Sequence, residues 1–370
     1  MRIGIDARMM TPRATRGIGR YVEELIRAML ELAPNHHYVL VTRLAIHAFS
    51  SHPSVETRVA DVPWYGLAEQ LRMPGVFKSL KADIVHVPHW NVPILYHGPL
   101  VLTLHDLLLH HEPTSARIST RQPWLAALKR WGYRLTLTSA IQHAKKILVP
   151  TEFTANDLKT LYPQAAAKVV VTGEGMGRKH IFPAGFDNRP PLSKFILYVG
   201  SAYPHKGLNL LIDAWEAICS HYPDMHLKIA GDEDVFMERI RTTVQQRKLP
   251  RVDFLGYVPD EELQRLYHDA QALIFPSRFE GFGLPPLEAI QAGCPVVSSD
   301  AAALPEVLGQ GAAHFFKSGS KTDIIRAIEE VLKDTVAARA QTLAVLPLLQ
   351  ARHDWKQTAR RTLEAYEQAE

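Results

Sequence analysis

Between Phe275 and Asp300 the sequence reads Phe-Pro-Ser-Arg-Phe-Glu-Gly-Phe-Gly-Leu-Pro-Pro-Leu-Glu-Ala-Ile-Gln-Ala-Gly-Cys-Pro-Val-Val-Ser-Ser-Asp, with two carboxylates, Glu280 and Glu288, on either side of a glycine-proline turn. Gly281 and Gly283 permit backbone shapes that aim several N–H groups at one point, and Pro285 and Pro286 suit a helix start. A helix N-terminus preceded by glycines is an anion site, so phosphates would rest on the amides of Gly281, Phe282, Gly283 and Leu284. The carboxylates would then flank the phosphates. Because a carboxylate can accept two hydrogen bonds from a vicinal diol, one would hold a ribose and the other a hexose. The alternative for Glu288 is a surface charge that complements the helix dipole.

Other residues have chemical potential of their own. His105-Asp106 follows a run of apolar β-formers, at a strand's carboxyl end where open α/β sheets bind ligands. The competing reading is a structural histidine, and His86, His89, His97, His110 and His111 nearby show that one histidine proves little. They form no strict i, i+4 helical pair and have no cysteine partner, so no metal is expected. Lys206 lies in a glycine-containing loop after the strand that ends near Gly200, a position suited to neutralising a leaving diphosphate. Asp232-Glu233-Asp234 matches a D-x-D metal pattern, but a charged loop or helix cap is the preferred reading. Gly17-Ile-Gly19 lacks the spacing of a dinucleotide-binding turn. With the long loop Ala7–Arg16 before it, it suits a flap over phosphates or an ordinary helix entry.

Apolar runs of four to six residues alternate with helix-periodic segments, the pattern of parallel βα units. The pattern occurs twice, so the chain is α/β with two domains, as 370 residues also suggest. Strands are predicted at residues 2–6, 38–42, 84–87, 100–104, 146–149 and 169–172, then at 195–199, 227–230, 253–255, 272–275 and 295–298. Helices are predicted at residues 19–32, 122–143, 154–161, 208–220, 235–247, 261–268, 286–292 and 321–332. Residues 173–191, rich in glycine and proline, read as the linker. Trp355, Ala359, Leu363 and Tyr366 form one apolar helical face, which could dock back across the domain junction.

Composition narrows the setting. Cys219 and Cys294 are the only cysteines and read as small buried hydrophobes, which fits a cytoplasmic chain. Asp6 interrupts the first apolar stretch, so no signal peptide is expected. The uncharged stretch Ile84–His105 is broken by Pro88, Pro93 and Pro99, which is wrong for a membrane helix. Residues 1–185 hold 22 Lys+Arg against 13 Asp+Glu, and residues 186–370 hold 20 against 25, so the halves carry +9 and −5. A basic first half suggests an anionic partner. Residues 113–146 contain seven Lys or Arg and no Asp or Glu, interleaved with Trp124, Trp131 and Tyr133. This composition fits peripheral contact with an anionic membrane, or else a buried helix with a basic outer face. No nucleic-acid-binding signature accompanies it.

The Glu280 to Glu288 run resembles the E-x7-E motif of the retaining glycosyltransferases of family 4. The resemblance extends along the chain through Gly17-Ile-Gly-Arg20-Tyr, Leu104-His105-Asp106, Pro150-Thr-Glu-Phe-Thr154, Val199-Gly200, Lys206-Gly207, Phe254-Leu-Gly-Tyr257-Val258 and Leu304-Pro-Glu-Val. It implies the GT-B fold, two facing Rossmann-like domains with a central cleft and a C-terminal helix crossing back. The domains would be 1–182 for the acceptor side, 192–350 for the nucleotide sugar, and 351–370 for the returning helix. It further implies a hexose, most readily mannose from GDP-mannose, transferred with retention and without a metal cofactor. The acceptor would be a glycan or polyprenyl-diphosphate-linked carrier in surface-polysaccharide synthesis at the inner membrane face.

By the same resemblance His105, Glu280 and Lys206 are the catalytic residues, with His105 beside the reacting sugar. Gly17, Gly19, Ser201, His205, Lys206, Tyr257, Val258, Glu280, Gly281, Phe282, Gly283, Leu284 and Glu288 would bind the donor. The chain departs from the family where many members pair the lysine with an arginine: Ser201 and His205 stand there. His205 or Arg20 would then complete the diphosphate clamp. The alternatives are a nucleotide-sugar epimerase on a similar fold and a noncatalytic nucleotide-sugar or glycan-binding protein.

Overall fold

The computed structural model describes residues 1–10, 17–45, 48–112, 123–177 and 193–370. The chain forms two compact units, one of Met1–Leu107, Ile118–Gly175 and His353–Glu370, the other of Leu108–Arg117 and Met176–Arg352. This division differs from the boundaries expected at 182, 192 and 350. A short piece after His105 clusters with the second unit, and the last segment clusters with the first. Residues 178–191 of the expected linker and 11–16 of the expected flap lie outside the described residues, as do Arg117 and Arg121.

The first unit is built on a seven-stranded sheet: β1 (Arg2–Asp6), β2 (His37–Thr42), β3 (Val55–Val59), β4 (Ile84–Val87), β5 (Leu100–Thr103), β6 (Lys146–Val149) and β7 (Val169–Val171). Its order is β3-β2-β1-β4-β5-β6-β7, and every pairing is parallel. β4 and β5 are buried throughout, as central strands covered on both faces must be. The sequence reading had no β3, because Val55-Glu-Thr-Arg-Val is an edge strand with charged, partly exposed residues. It also had no helix at Leu67–Ser79, which contains Pro74. Helix Ile18–Leu32 buries Tyr21, Val22, Leu25, Ile26 and Met29 along one stripe. Helix Trp355–Glu367 packs on it, and Ala359, Ala365 and Tyr366 join the same core.

The second unit holds a six-stranded parallel sheet: β8 (Phe195–Val199), β9 (His226–Ala230), β10 (Val252–Gly256), β11 (Ala272–Phe275), β12 (Val296–Ser299) and β13 (His314–Phe316). The order is β10-β9-β8-β11-β12-β13. Its core gathers Trp215, Ile218, Ile274 and Val297 from helix and sheet. Helix Thr335–Arg352, which runs through Pro347, and the three-residue β13 are not among the predicted elements. Cys219 and Cys294 are both buried free thiols.

Immediately after β1 lies a buried ionic cluster. Arg8 bonds Asp6 at 2.7 Å and Glu69 at 2.7 Å, and all three side chains are nearly inaccessible. Burial alone would weaken the proton affinity of Arg8, but the two carboxylates more than offset it and raise its pKa. Glu69 also accepts from the Tyr65 amide and from the Asn91 side chain. Removing the cation would leave two buried carboxylates facing each other. Arg8→Met should therefore cost about 3–5 kcal/mol, seen as a lower urea midpoint for the first unit. A midpoint equal to wild type would show that the cluster does not carry this stability.

Candidate active site

In the second sheet, connections from β8 run toward β9 and β10, whereas β11 leads the other way to β12 and β13. The seam between β8 and β11 is thus the point where winding reverses, and ligands of open α/β sheets bind at the carboxyl ends there. After β8 the chain passes through Gly200 and Ser201 into a tight turn, Pro204–Lys206, and then Gly207. Gly207 has φ +71°, and a Cβ there would lie 2.0 Å from the Pro276 carbonyl oxygen. Only glycine allows the loop after β8 to press this closely on the loop after β11. Two hydrogen bonds stitch the loops further: the Arg278 amide donates to the His205 carbonyl at 2.7 Å, and Ser277 Oγ donates to the same carbonyl at 3.3 Å.

This stitching brings together two of the residues singled out in sequence. Lys206 Nζ donates to Glu280 Oε1 at 2.7 Å, with 24% and 12% of their side chains exposed. Directly beyond, Gly283 caps helix Leu284–Gln291 in a left-handed conformation, φ +93°, and Pro285 and Pro286 fall in its first turn. Gly281, Phe282 and Gly283 are buried. Glu288, four residues into that helix, accepts from the Tyr267 hydroxyl at 3.2 Å. The ammonium, the helix N-terminus and Glu280 thus sit at one edge of one sheet. This is an arrangement for an anion joined to a polyol.

His205 turns out differently from a cationic clamp. It is 4% exposed and stacks on Tyr203, and its Nδ1 is buried without a hydrogen-bond partner. Burial, reinforced by the charge of Lys206, pushes its pKa down to about 4, so at neutral pH the ring is uncharged. Arg278, which sequence alone gives no role, lies two residues before Glu280 and bonds Glu112 at 2.9 Å. Its place in the same loop as Glu280 was the signal available. Tyr198 was also missed: its hydroxyl donates to the Ser201 carbonyl at 2.7 Å and supports the turn from below.

Tyr257, half exposed, and Val258, buried, follow β10 at the same edge of the sheet. Asp232-Glu233-Asp234 follows β9, and its groups have structural employment. Asp234 caps helix Val235–Gln246 by accepting from the Phe236 and Met237 amides at 2.9 Å, and Glu233 bonds Arg241 at 2.6 Å. Among the described residues no group of three or more His, Cys, Asp or Glu is placed to hold a metal ion.

The remaining predicted residues belong to the first unit. Gly17 has φ +53° ahead of helix Ile18–Leu32. A Cβ on Gly19 would lie 2.4 Å from the Met9 carbonyl oxygen, so the helix start rests directly on the loop after β1. His105 lies just past the carboxyl end of β5, with Nδ1 2.8 Å from Glu174 Oε1. The Tyr21 ring meets it edge-on at 4.7 Å. Its Nε2 is shielded from solvent and makes no hydrogen bond of normal geometry.

Residues 15–176 match the family described as Glycosyltransferase Family 4, and residues 186–362 match Glycosyl transferases group 1. The chain is 27% identical over 321 residues to the O-antigen chain mannosyltransferase B of Escherichia coli, covering 82% of this chain and 78% of that protein. It is 25% identical over 394 residues to a glycogen synthase of Mycobacterium tuberculosis, covering 95% and 90%. Among solved structures, the sucrose-phosphate synthase of Thermosynechococcus elongatus superposes with a TM-score of 0.79 at 20% identity, over 99% of this chain and 98% of that one. With two parallel Rossmann-like sheets of the GT-B kind, and with a family 4 domain and a group 1 domain matched in tandem along its length, the chain is a glycosyltransferase of GT4 type, a hexosyltransferase.

Proposed function

We propose that the protein moves a mannosyl group from GDP-mannose, with retention and without a metal, to a glycan on a polyprenyl-diphosphate carrier in surface-polysaccharide synthesis. The observation that carries this reading is the Lys206–Glu280 pair beside the helix N-terminus at Gly283. The sugar follows the similarity to an O-antigen mannosyltransferase. In this reading the donor diphosphate takes Lys206 away from Glu280, and Glu280 turns to the hydroxyls of the transferred sugar. Glu288 holds the ribose. The bond from the anomeric carbon to the phosphate oxygen breaks as the acceptor oxygen bonds that carbon on the same face. The leaving phosphate takes the acceptor's proton. Lys206 and the amides of Gly281 to Leu284 stabilise the charge that develops on the diphosphate.

A thermal-shift comparison of GDP-mannose, UDP-glucose and UDP-N-acetylglucosamine should give the largest rise with GDP-mannose, because a ligand of the folded state stabilises it by mass action. A larger rise with either uridine nucleotide would overturn the donor. Glu280→Ala should lower transfer about a hundredfold or more, with the product of the wild type keeping the donor's anomeric configuration and chelator leaving the rate unchanged. Near-normal turnover in that variant would remove the central claim.

The proposal extends to peripheral membrane contact through helix Pro123–His143. No helix among the described residues is long and apolar enough to cross a membrane. On this helix, however, Trp124, Leu128, Trp131 and Leu135 are exposed at spacings of four, three and four, with Lys129, Arg130 and Arg134 exposed alongside. An apolar stripe edged by cations fits an anionic interface. Co-sedimentation with vesicles containing phosphatidylglycerol should exceed that with neutral vesicles and fall in the double variant Lys129→Glu, Arg130→Glu. Equal sedimentation of wild type and variant would sink this part.

A further inference from the structure

Glu174 lies in the segment after β7, in a stretch that as sequence reads only as linker, and the transfer chemistry above makes no use of it. Its side chain is 5% exposed, and Oε1 lies 2.8 Å from Nδ1 of His105, 69 residues earlier in the chain. The backbone around it is tightly held. Gly173 has φ +77°, and a Cβ on Gly175 would fall 2.3 Å from the Trp355 ring. Tyr21 contacts both the His105 ring, at 4.7 Å, and the Trp355 ring, at 5.8 Å. A carboxylate buried this far is costly unless a hydrogen-bonding or charged partner meets it, and the imidazole is that partner.

We propose that Glu174 is a positioning residue for the transfer reaction: its carboxylate, 2.8 Å from Nδ1, fixes the His105 ring and favours the imidazolium, so that Nε2–H serves as a charged donor. The inference rests on the reading of His105 as the residue beside the transferred sugar. A charged donor to a sugar or phosphate oxygen is stronger than a neutral one and gains most where negative charge grows during transfer.

The groups around the ring support the charge assignment. Burial alone disfavours the imidazolium, but the hydrogen bond and charge of Glu174 outweigh it, with Asp106 and the Pro88 carbonyl adding to them, so the pKa rises. His86 on β4 and His89 after it do not compete for the charge. Burial, with the charge of His105 as the second cause, pushes each down to about 3. The Tyr21 phenol is held neutral by burial. Because the His105 pKa is raised, the imidazolium is complete at acid pH and is lost as pH rises through that higher value. Activity that needs the charge should fall on the alkaline side.

The test compares kcat/KM for transfer across about pH 5.5 to 9 in the full-length wild type, Glu174→Gln and His105→Asn. Glutamine keeps the shape and a hydrogen bond but removes the charge. The alkaline limb in Glu174→Gln should move down by about one pH unit or more, with the maximal rate reduced. A role in packing alone would lower the melting temperature and leave the limb in place. His105→Asn should lose about tenfold or more in rate at every pH. If His105→Asn transfers normally, the parent reading of His105 falls. If His105→Asn is impaired while the Glu174→Gln profile superposes on wild type, the Glu174 inference falls alone. Should Glu174→Gln fail to fold, the wild-type imidazole resonance that disappears in His105→Asn decides: titration above about 6.5 supports the inference, and titration at or below that value overturns it.

Discussion

At the seam between β8 and β11 the Pro276 carbonyl presses against Gly207 with no room for a Cβ, and the site follows from that contact. Two loops that leave the same carboxyl end of the sheet, and lead to strands on opposite sides of the seam, are held in register by it, so Lys206 and Glu280, 74 residues apart in sequence, meet at 2.7 Å. The strands beneath are rigid for an ordinary reason, since β11 is buried along its whole length and β8 along nearly all of it. A partly exposed ion pair adds little stability. Its importance is positional, because it stores a cation and an anion at the mouth of a helix N-terminus.

The first unit uses a different device, a chain of buried polar groups that leaves few partners unmet. The Tyr366 hydroxyl bonds His86 Nδ1 at 2.6 Å, His86 Nε2 bonds Thr103 Oγ1 at 2.7 Å, and Tyr21 reaches Thr103 at 3.4 Å. Both nitrogens of His86 are thereby used by neutral partners, which suits a ring held uncharged. Networks of this kind specify one arrangement because a half-satisfied member in low dielectric is expensive. Thr103 stands two residues before His105, so the last helix of the chain braces the strand end that presents that histidine. The return of residues 353–370 to the first unit thus has a local physical purpose as well as an apolar one.

Sequence periodicity found most strands and most of the longer helices because burial on both faces writes a dense apolar signal. It failed where that signal is diluted: in the charged edge strand at Val55–Val59, in the three residues of β13, and in the helices that contain Pro74 or Pro347. The chemical residues show the same division. Glu280, Glu288 and the turn between them were legible because they are contiguous, and Asp234 of the D-x-D triplet caps the helix that follows it. The uncharged state of His205 was not legible, since it depends on burial by residues distant in sequence. Nor was the partnership of His105 with Glu174, whose flanking glycines look like linker until Trp355 is seen packed against one of them.

The departure of this chain from its family at Ser201 and His205 acquires a sense from the charges that surround the seam. His205 is neutral, Lys206 is paired with Glu280, and Arg278 is paired with Glu112. Each cation therefore already has an acidic partner. A ligand that brought only phosphate would have to take Lys206 and leave the Glu280 carboxylate, largely shielded from water, without a donor, which carries a desolvation cost. In the proposed reading a nucleotide sugar would avoid that penalty, because its diphosphate would replace Glu280 at Lys206 while its hydroxyls would replace Lys206 at Glu280. By the same reading a free nucleoside diphosphate would be disfavoured once the sugar had left, so the pair that readies the site for the donor would also help it release the product.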